Sequence, residues 1–177
     1  MKLLMTVGTT RFDALIDKVL SPEFIQAALG NGIKKVTIQH GKSPTTINDC
    51  ALLQVECFEF LPDIDRWIAD ADVVIGHCGS GTILDVLRGP IFPEEGADRI
   101  RPKLILVPNP SLMDNHQQEL AHQMQSLKAA ITSKVSNLPD ALYQSLQTTA
   151  TPLPPPNTQA FNRIVSCLIS TARINKN

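Results

Sequence analysis

The chain has 177 residues, 43 % of them hydrophobic and 19 % charged, enough for one domain with a sizeable core and ordinary for a soluble globular protein. Sixteen Lys and Arg stand against seventeen Asp and Glu, a net charge of −1. That balance excludes a strong global field toward nucleic acid or anionic lipid, so any phosphate site must rest on local dipoles.

Taken in chain order, the apolar run 2–7 reads as a strand and is too short for the core of a signal peptide. Residues 12–29 have a helical pattern, interrupted near Ser21-Pro22. A second strand is expected over 33–39, a Gly/Pro/Thr-rich loop over 40–49, and a third strand over 52–60. A short helix over 63–69, a fourth strand over 72–75 and a helix over 82–88 follow. Residues 89–102 carry three prolines and two glycines and read as an exposed loop. The fifth strand is 103–107, the next helix 115–129, an edge strand 131–135, and a further helix 139–146. No segment approaches the roughly 20 apolar residues of a membrane span. The four cysteines, Cys50, Cys57, Cys78 and Cys167, lack Cys-x-x-Cys spacing and disulfide density, and read as reduced thiols of a cytosolic chain.

Continuous apolar strands alternating with helices predict an α/β fold, a doubly wound parallel sheet covered on both faces. The expected organisation is a domain over 1–150, a proline-rich linker over 151–157 and a C-terminal helix over 158–174. In that helix Phe161, Ile164, Val165, Leu168 and Ile169 recur at helical spacing, a stripe for its own domain or for a partner.

Three strand-to-helix junctions carry the chemistry. The first is Val7-Gly8-Thr9-Thr10. The second is Gly76-His77-Cys78-Gly79-Ser80-Gly81-Thr82-Ile83-Leu84-Asp85. The third runs from Val107-Pro108-Asn109 to Asp114-Asn115-His116-Gln117. A helix opening after a strand leaves N–H groups unpaired at its positive end, and Gly79 and Gly81 present no Cβ to keep a phosphate away. Thr10-x-x-Asp13, Thr82-x-x-Asp85 and Asp114-x-x-Gln117 match or nearly match capping boxes, and each taken singly is more often a cap than a ligand site. Ligands on such a sheet bind beyond the carboxyl ends of the strands, where all three turns meet.

Other patterns fail. Gly41-Lys42-Ser43 resembles the end of a P-loop, but position 36 is Val where that spacing needs Gly. The first turn lacks the Gly-x-Gly-x-x-Gly of a dinucleotide fold. Asp63-Ile64-Asp65 and Asp70-Ala71-Asp72 sit at a short helix and its exit rather than in a metal loop. His122 fits a helix surface, while His40, His77 and His116 fall near strand ends, where any of them could face a ligand.

Together the three junctions resemble the donor-binding subunits of the two-subunit UDP-N-acetylglucosamine (UDP-GlcNAc) transferases of dolichol-linked oligosaccharide synthesis. They resemble more distantly the C-terminal half of the bacterial GT-B transferase that makes the lipid-linked peptidoglycan disaccharide. The resemblance covers residues 1 to about 130. It implies a Rossmann-like GT-B half that binds UDP-GlcNAc, with Gly8, Thr9 and Thr10 at the diphosphate and Leu61, in Phe60-Leu61-Pro62-Asp63-Ile64, at the uracil. It implies phosphate contacts from Gly79, Ser80, Gly81 and Thr82, with His77 beside them, and ribose binding by Asp85, shorter than the Glu of the bacterial relatives. His116 and Gln117, with Asn115 beside them, would contact the sugar, and Asn109 is a further donor-binding residue. The longer 89–102 loop departs from the family pattern and reads as peripheral.

The resemblance further implies an inverting transfer of GlcNAc to dolichol-pyrophosphate-GlcNAc, with no metal or cofactor and no base assignable in this chain. A membrane-anchored acceptor-binding subunit would recruit the chain to the cytosolic face of the endoplasmic reticulum, with the C-terminal helix as docking element. Two rival readings are a non-catalytic nucleotide-binding regulator and an enzyme active alone on another acceptor. The sugar-reading cluster argues against the first and the missing acceptor domain against the second.

Overall fold

The computed structural model describes residues 1–45, 52–89, 101–111 and 116–153. Within them lie strands β1 (Lys2–Thr6), β2 (Lys35–Gln39), β3 (Gln54–Phe58), β4 (Val73–Gly76), β5 (Lys103–Leu106) and β6 (Ile131–Thr132). The helices are α1 (Asp13–Val19), α2 (Pro22–Gly30), α3 (Ile64–Asp70), α4 (Ser80–Arg88), α5 (His116–Ser126) and α6 (Leu138–Gln147). All six strands are parallel, in the order β3-β2-β1-β4-β5-β6.

The central strands are apolar without interruption because both faces are covered. Alternate residues serve alternate cores. Leu3, Met5, Ile75 and Ile105 join one cluster with Leu15, Ile16 and Phe24 of α1 and α2 and Leu142 of α6. Leu4, Val74, Leu104 and Leu106 join the other with Ile68 of α3, Ile83 of α4 and Ala121 of α5. The register stacks them in rows, with Met5 opposite Ile75 and Ile75 opposite Ile105. The break foreseen in the first helical stretch is a true helix start. The Ser21 hydroxyl accepts the Phe24 N–H at 3.3 Å, and Pro22 occupies the first turn, where its missing N–H costs nothing.

The strand order reverses beside β1, which has β2 on one side and β4 on the other. The carboxyl ends of β1, β4 and β5 therefore lie side by side, with Thr6 opposite Gly76 and Gly76 opposite Leu106. That edge is where such sheets bind ligands.

Several boundaries differ from expectation. Helix α4 opens at Ser80, two residues before Thr82, because Gly79 in extended conformation (φ −71°, ψ 133°) serves as N-cap. The edge strand shrinks to Ile131–Thr132, and a 3₁₀ turn, Val135–Asn137, leads into α6. At the far end the Thr151 N–H donates to the Lys128 carbonyl at 2.9 Å and Leu153 packs against the second core. The rest of the linker and the expected C-terminal helix, 154–177, lie outside the described residues, as do 46–51, 90–100 and 112–115. No helix among the described residues is long and apolar enough to cross a membrane.

Candidate functional site

The first turn is built on the end of β1. Thr6 donates its hydroxyl to Gln39 Oε1 at 2.8 Å and accepts the Gly8 N–H at 3.0 Å. Gly8 takes φ +60°, the left-handed region that glycine enters without penalty. The expected Thr10 capping box does not form. The Thr10 hydroxyl donates instead to the Val7 carbonyl at 2.7 Å, and Phe12 is the N-cap of α1. The Phe12 N–H is satisfied by Ser43 Oγ at 2.7 Å, a partner from the loop after β2.

That loop buttresses the turn. The Lys42 N–H donates to the Thr10 carbonyl at 3.0 Å. Gly41 stands at φ +55°, and a Cβ there would lie 2.3 Å from the Thr10 carbonyl oxygen. The Gly41-Lys42-Ser43 sequence, which fails as a P-loop, is thus a brace for Gly8–Thr10. Sequence reading passed over Gly41 and Ser43, whose partners are distant in the chain.

The second turn is the most strained. Cys78 is a non-glycine residue at φ +67°, a conformation that costs about 1 kcal/mol or more. Beside it the His77 ring lies inside the protein. The imidazole is buried, with Nδ1 3.4 Å from the Thr6 carbonyl, and burial holds its pKa below the usual histidine value. A Cβ on Gly79 would stand 2.7 Å from His77 Nε2, and one on Gly8 3.2 Å from His77 Cε1. The space at the Gly79 Cβ position is therefore filled by His77 rather than left empty. Gly81 has nothing within 4 Å of its Cβ position and is exposed. Helix α4 has no side-chain cap, so the Thr82–Asp85 capping box does not form either. The first-turn N–H groups of α4 have no intrahelical acceptors. Asp85, half-buried on α4, has its carboxyl raised above the usual range by burial and then by the charge of Asp65. The side chain of Leu61 is buried in the second core, which leaves its backbone as the part a ligand could read.

The third turn ties the other two together. Asn109 is buried, and its Nδ2 donates to the Arg11 carbonyl at 3.0 Å, while its Oδ1 accepts the Ser111 N–H at 3.0 Å and hydroxyl at 2.7 Å. Its own N–H donates to Gln117 Oε1 at 2.9 Å. The Cys78 thiol donates to the Gln117 backbone carbonyl at 3.2 Å, and burial pushes that thiol up to about 11. His116 is exposed at the start of α5, its Nδ1 4.0 Å from Glu119. Asn115 lies outside the described residues.

The structure thus gathers the first, second and third turns along one edge, as the sequence suggested. Among the described residues no three His, Cys, Asp or Glu side chains converge to hold a metal. Cys57 and Cys78 are free thiols. An open groove of about 990 Å³ runs instead between α5 and α6, past His122 and Gln144, and meets this edge at Phe12, Pro108 and Pro110.

A doubly wound parallel sheet whose turns meet at the switch point is the architecture of a domain that binds ligands beyond its strand ends. Residues 2–165 match the glycosyltransferase family 28 C-terminal domain, and the chain belongs to that family. It is similar to the UDP-N-acetylglucosamine transferase subunit ALG13 of Cryptococcus neoformans, 28 % identical with 82 % of this chain and 83 % of that one covered. The protein of the same description from Yarrowia lipolytica is 33 % identical over 69 % of this chain and 59 % of its own length. Among solved structures, the solution NMR structure of ALG13 superimposes with a TM-score of 0.62 at 27 % identity, covering 92 % of this chain and 94 % of that one. MurG of Acinetobacter baumannii shares the fold at a TM-score of 0.56 and 19 % identity, with 83 % of this chain and 41 % of MurG covered.

Proposed function

We propose that the chain is the donor-binding subunit of an inverting N-acetylglucosaminyltransferase, moving GlcNAc from UDP-GlcNAc to dolichol-pyrophosphate-GlcNAc. The observation that carries this reading is the meeting of three laced strand-to-helix turns at the switch point, in a family 28 chain similar to the UDP-GlcNAc transferase subunits. Gly8, Thr9 and Thr10 approach the diphosphate from one side. The uncapped N–H groups of α4 at Ser80, Gly81 and Thr82 approach it from the other, where a helix N-terminus favours negative charge. The buried His77 is packed between these two turns. The same dipoles stabilise UDP as it leaves, when its charge grows. Asp85 holds the ribose, the Leu61 backbone the uracil, and Asn115, His116 and Gln117 the sugar.

One Rossmann-like unit cannot by itself enclose a reaction centre and exclude water. The acceptor site, and with it the general base that an inverting step needs, belongs to a membrane-anchored partner. That partner recruits this chain to the cytosolic face of the endoplasmic reticulum, and segment 158–174 is the docking element. The test is titration of the full chain with UDP-GlcNAc by calorimetry, with and without the partner's cytosolic part, in metal-free buffer. Binding that appears or strengthens with the partner is expected. No binding in either case overturns the reading.

A further inference from the structure

Gln117 is held from two sides. Its side-chain oxygen accepts the Asn109 N–H at 2.9 Å, and its backbone carbonyl accepts the Cys78 thiol at 3.2 Å. Asn109 is in turn fixed by Arg11 and Ser111 at 3.0 Å. The chain of bonds Cys78–Gln117–Asn109–Arg11 passes through all three turns, and Asn109 and Cys78 are both buried. The Asn109 side chain spends its oxygen on two bonds from Ser111 and one N–H on Arg11, so most of its hydrogen-bonding capacity is used within the protein.

A glutamine amide has one acceptor oxygen and one NH2 with two donors. In Gln117 the oxygen is occupied, and no partner of the NH2 is found among the described residues. A freely rotating amide could present either end to a sugar, but one clamped through its oxygen turns its donor end outward. Cys78 helps explain why a strained left-handed conformation is occupied by a residue with a side chain. Glycine would relieve the strain, but only the thiol reaches the first turn of α5.

We propose that Asn109 and Cys78 are positioning residues that lock Gln117 with its NH2 outward, so that it reads an acceptor oxygen of the bound donor, a sugar hydroxyl or the acetamido carbonyl. The inference rests on the donor-binding reading and goes beyond it. It moves Asn109 from the ligand contacts to their support, and it fixes the polarity of the Gln117 contact.

The test compares affinities for UDP and UDP-GlcNAc across the full-length wild type, Gln117→Glu, Asn109→Asp and the Gln117→Glu/Asn109→Asp double variant. Glutamate can still accept the Asn109 N–H but cannot donate to the sugar. Aspartate keeps the bonds from Ser111 but loses the donor to Arg11. UDP affinity is expected to stay within about twofold, while the UDP-GlcNAc to UDP affinity ratio falls by about 3- to 10-fold in each single variant, the scale of one hydrogen bond. The double variant is expected to match Gln117→Glu, because positioning a lost contact adds nothing. Equal losses for UDP and UDP-GlcNAc, additive losses, or a Gln117→Glu variant that keeps the ratio would each overturn the proposal.

A ligand-free readout separates this proposal from the functional reading. In NMR spectra of the wild type the two Gln117 NH2 protons should stay distinct from random-coil positions, and in Asn109→Asp they should move toward them. A wild type with averaged NH2 signals defeats the clamp. A wild type with clamped signals that binds no UDP-GlcNAc defeats the donor-binding reading instead.

Discussion

Gly79 and Gly81 lie two residues apart in one motif, and alanine should act on them in opposite directions. Gly79 has extended backbone angles that any residue can adopt, so backbone strain is not the obstacle. The obstacle is the His77 ring, whose Nε2 and Cε1 would lie 2.7 and 2.9 Å from the new methyl group. The ring has no easy retreat, because it is buried with Nδ1 facing the Thr6 carbonyl and Cε1 already near Gly8. Overpacking of this kind costs about 1–3 kcal/mol, or roughly 2–4 °C of melting temperature per kcal/mol in a chain of this size. Gly81, the second residue of α4, has open space at its Cβ, and alanine there should be neutral or stabilise by up to about 1 kcal/mol. Urea melts of both variants, repeated in a His77→Ala background, give the assay. In that background Gly79→Ala should lose most of its cost, a coupling of about 1 kcal/mol or more. Equal stabilities for the two alanine variants, or an unchanged Gly79→Ala cost without the imidazole, would refute the argument that His77 occupies the space beside Gly79.

The remaining predictions concern protons, thiols and ligand. His77 is held below its ordinary value of about 6.5, so below that pH the unfolded chain binds a proton that the folded chain refuses. Stability is then full above pH 6.5 and falls as pH drops through it, and His77→Asn should flatten the slope in melts between pH 5 and 8. With its thiol pushed up to about 11, Cys78 should resist iodoacetamide at pH 8 in the folded chain and react once urea unfolds it, as read by peptide mass mapping. Equal rates in both states would contradict its burial. Asp85→Asn should weaken UDP binding about 10- to 100-fold if the carboxylate holds the ribose, since hydrogen bonds to charged groups contribute about 1.5–3 kcal/mol. A change under twofold in calorimetry removes that role. Gly81→Val should abolish UDP-GlcNAc binding while leaving the melt cooperative, and normal binding would mean that no phosphate lies against this turn.

The sheet was legible because β1, β4 and β5 are apolar at successive positions, a pattern that only strands covered on both faces require. Ser21-Pro22 was legible as a break because a hydroxyl followed by proline is a local helix start. The lining of the site was less so. Thr82-x-x-Asp85 has the spacing of a capping box, yet Gly79 caps the helix a turn earlier and leaves Asp85 too far along α4 to return the bond. Thr10-x-x-Asp13 failed for a different reason, since the Thr10 hydroxyl donates to the Val7 carbonyl and Phe12 is the N-cap. The burial of His77 and the positive φ of Cys78 are features that nothing in the residue types announces. Asn109 was found by resemblance, but its engagement with Arg11 and Gln117 depends on tertiary contacts across adjacent strands.

Placing β1 between β2 and β4 has a consequence for how the chain is made. During synthesis β1 can pair with β2 early, but its other edge stays bare until β4 emerges, tens of residues and several seconds later at roughly 5–20 residues per second. The edge of β4 then waits for β5 in the same way. Parallel pairings over such distances are slow to form, and bare apolar strands invite aggregation while they wait. A ligand pocket drawn from the first, fourth and fifth strands is among the last features to be completed. Nascent chains of this protein should therefore depend on chaperone protection until β5 is out of the ribosome.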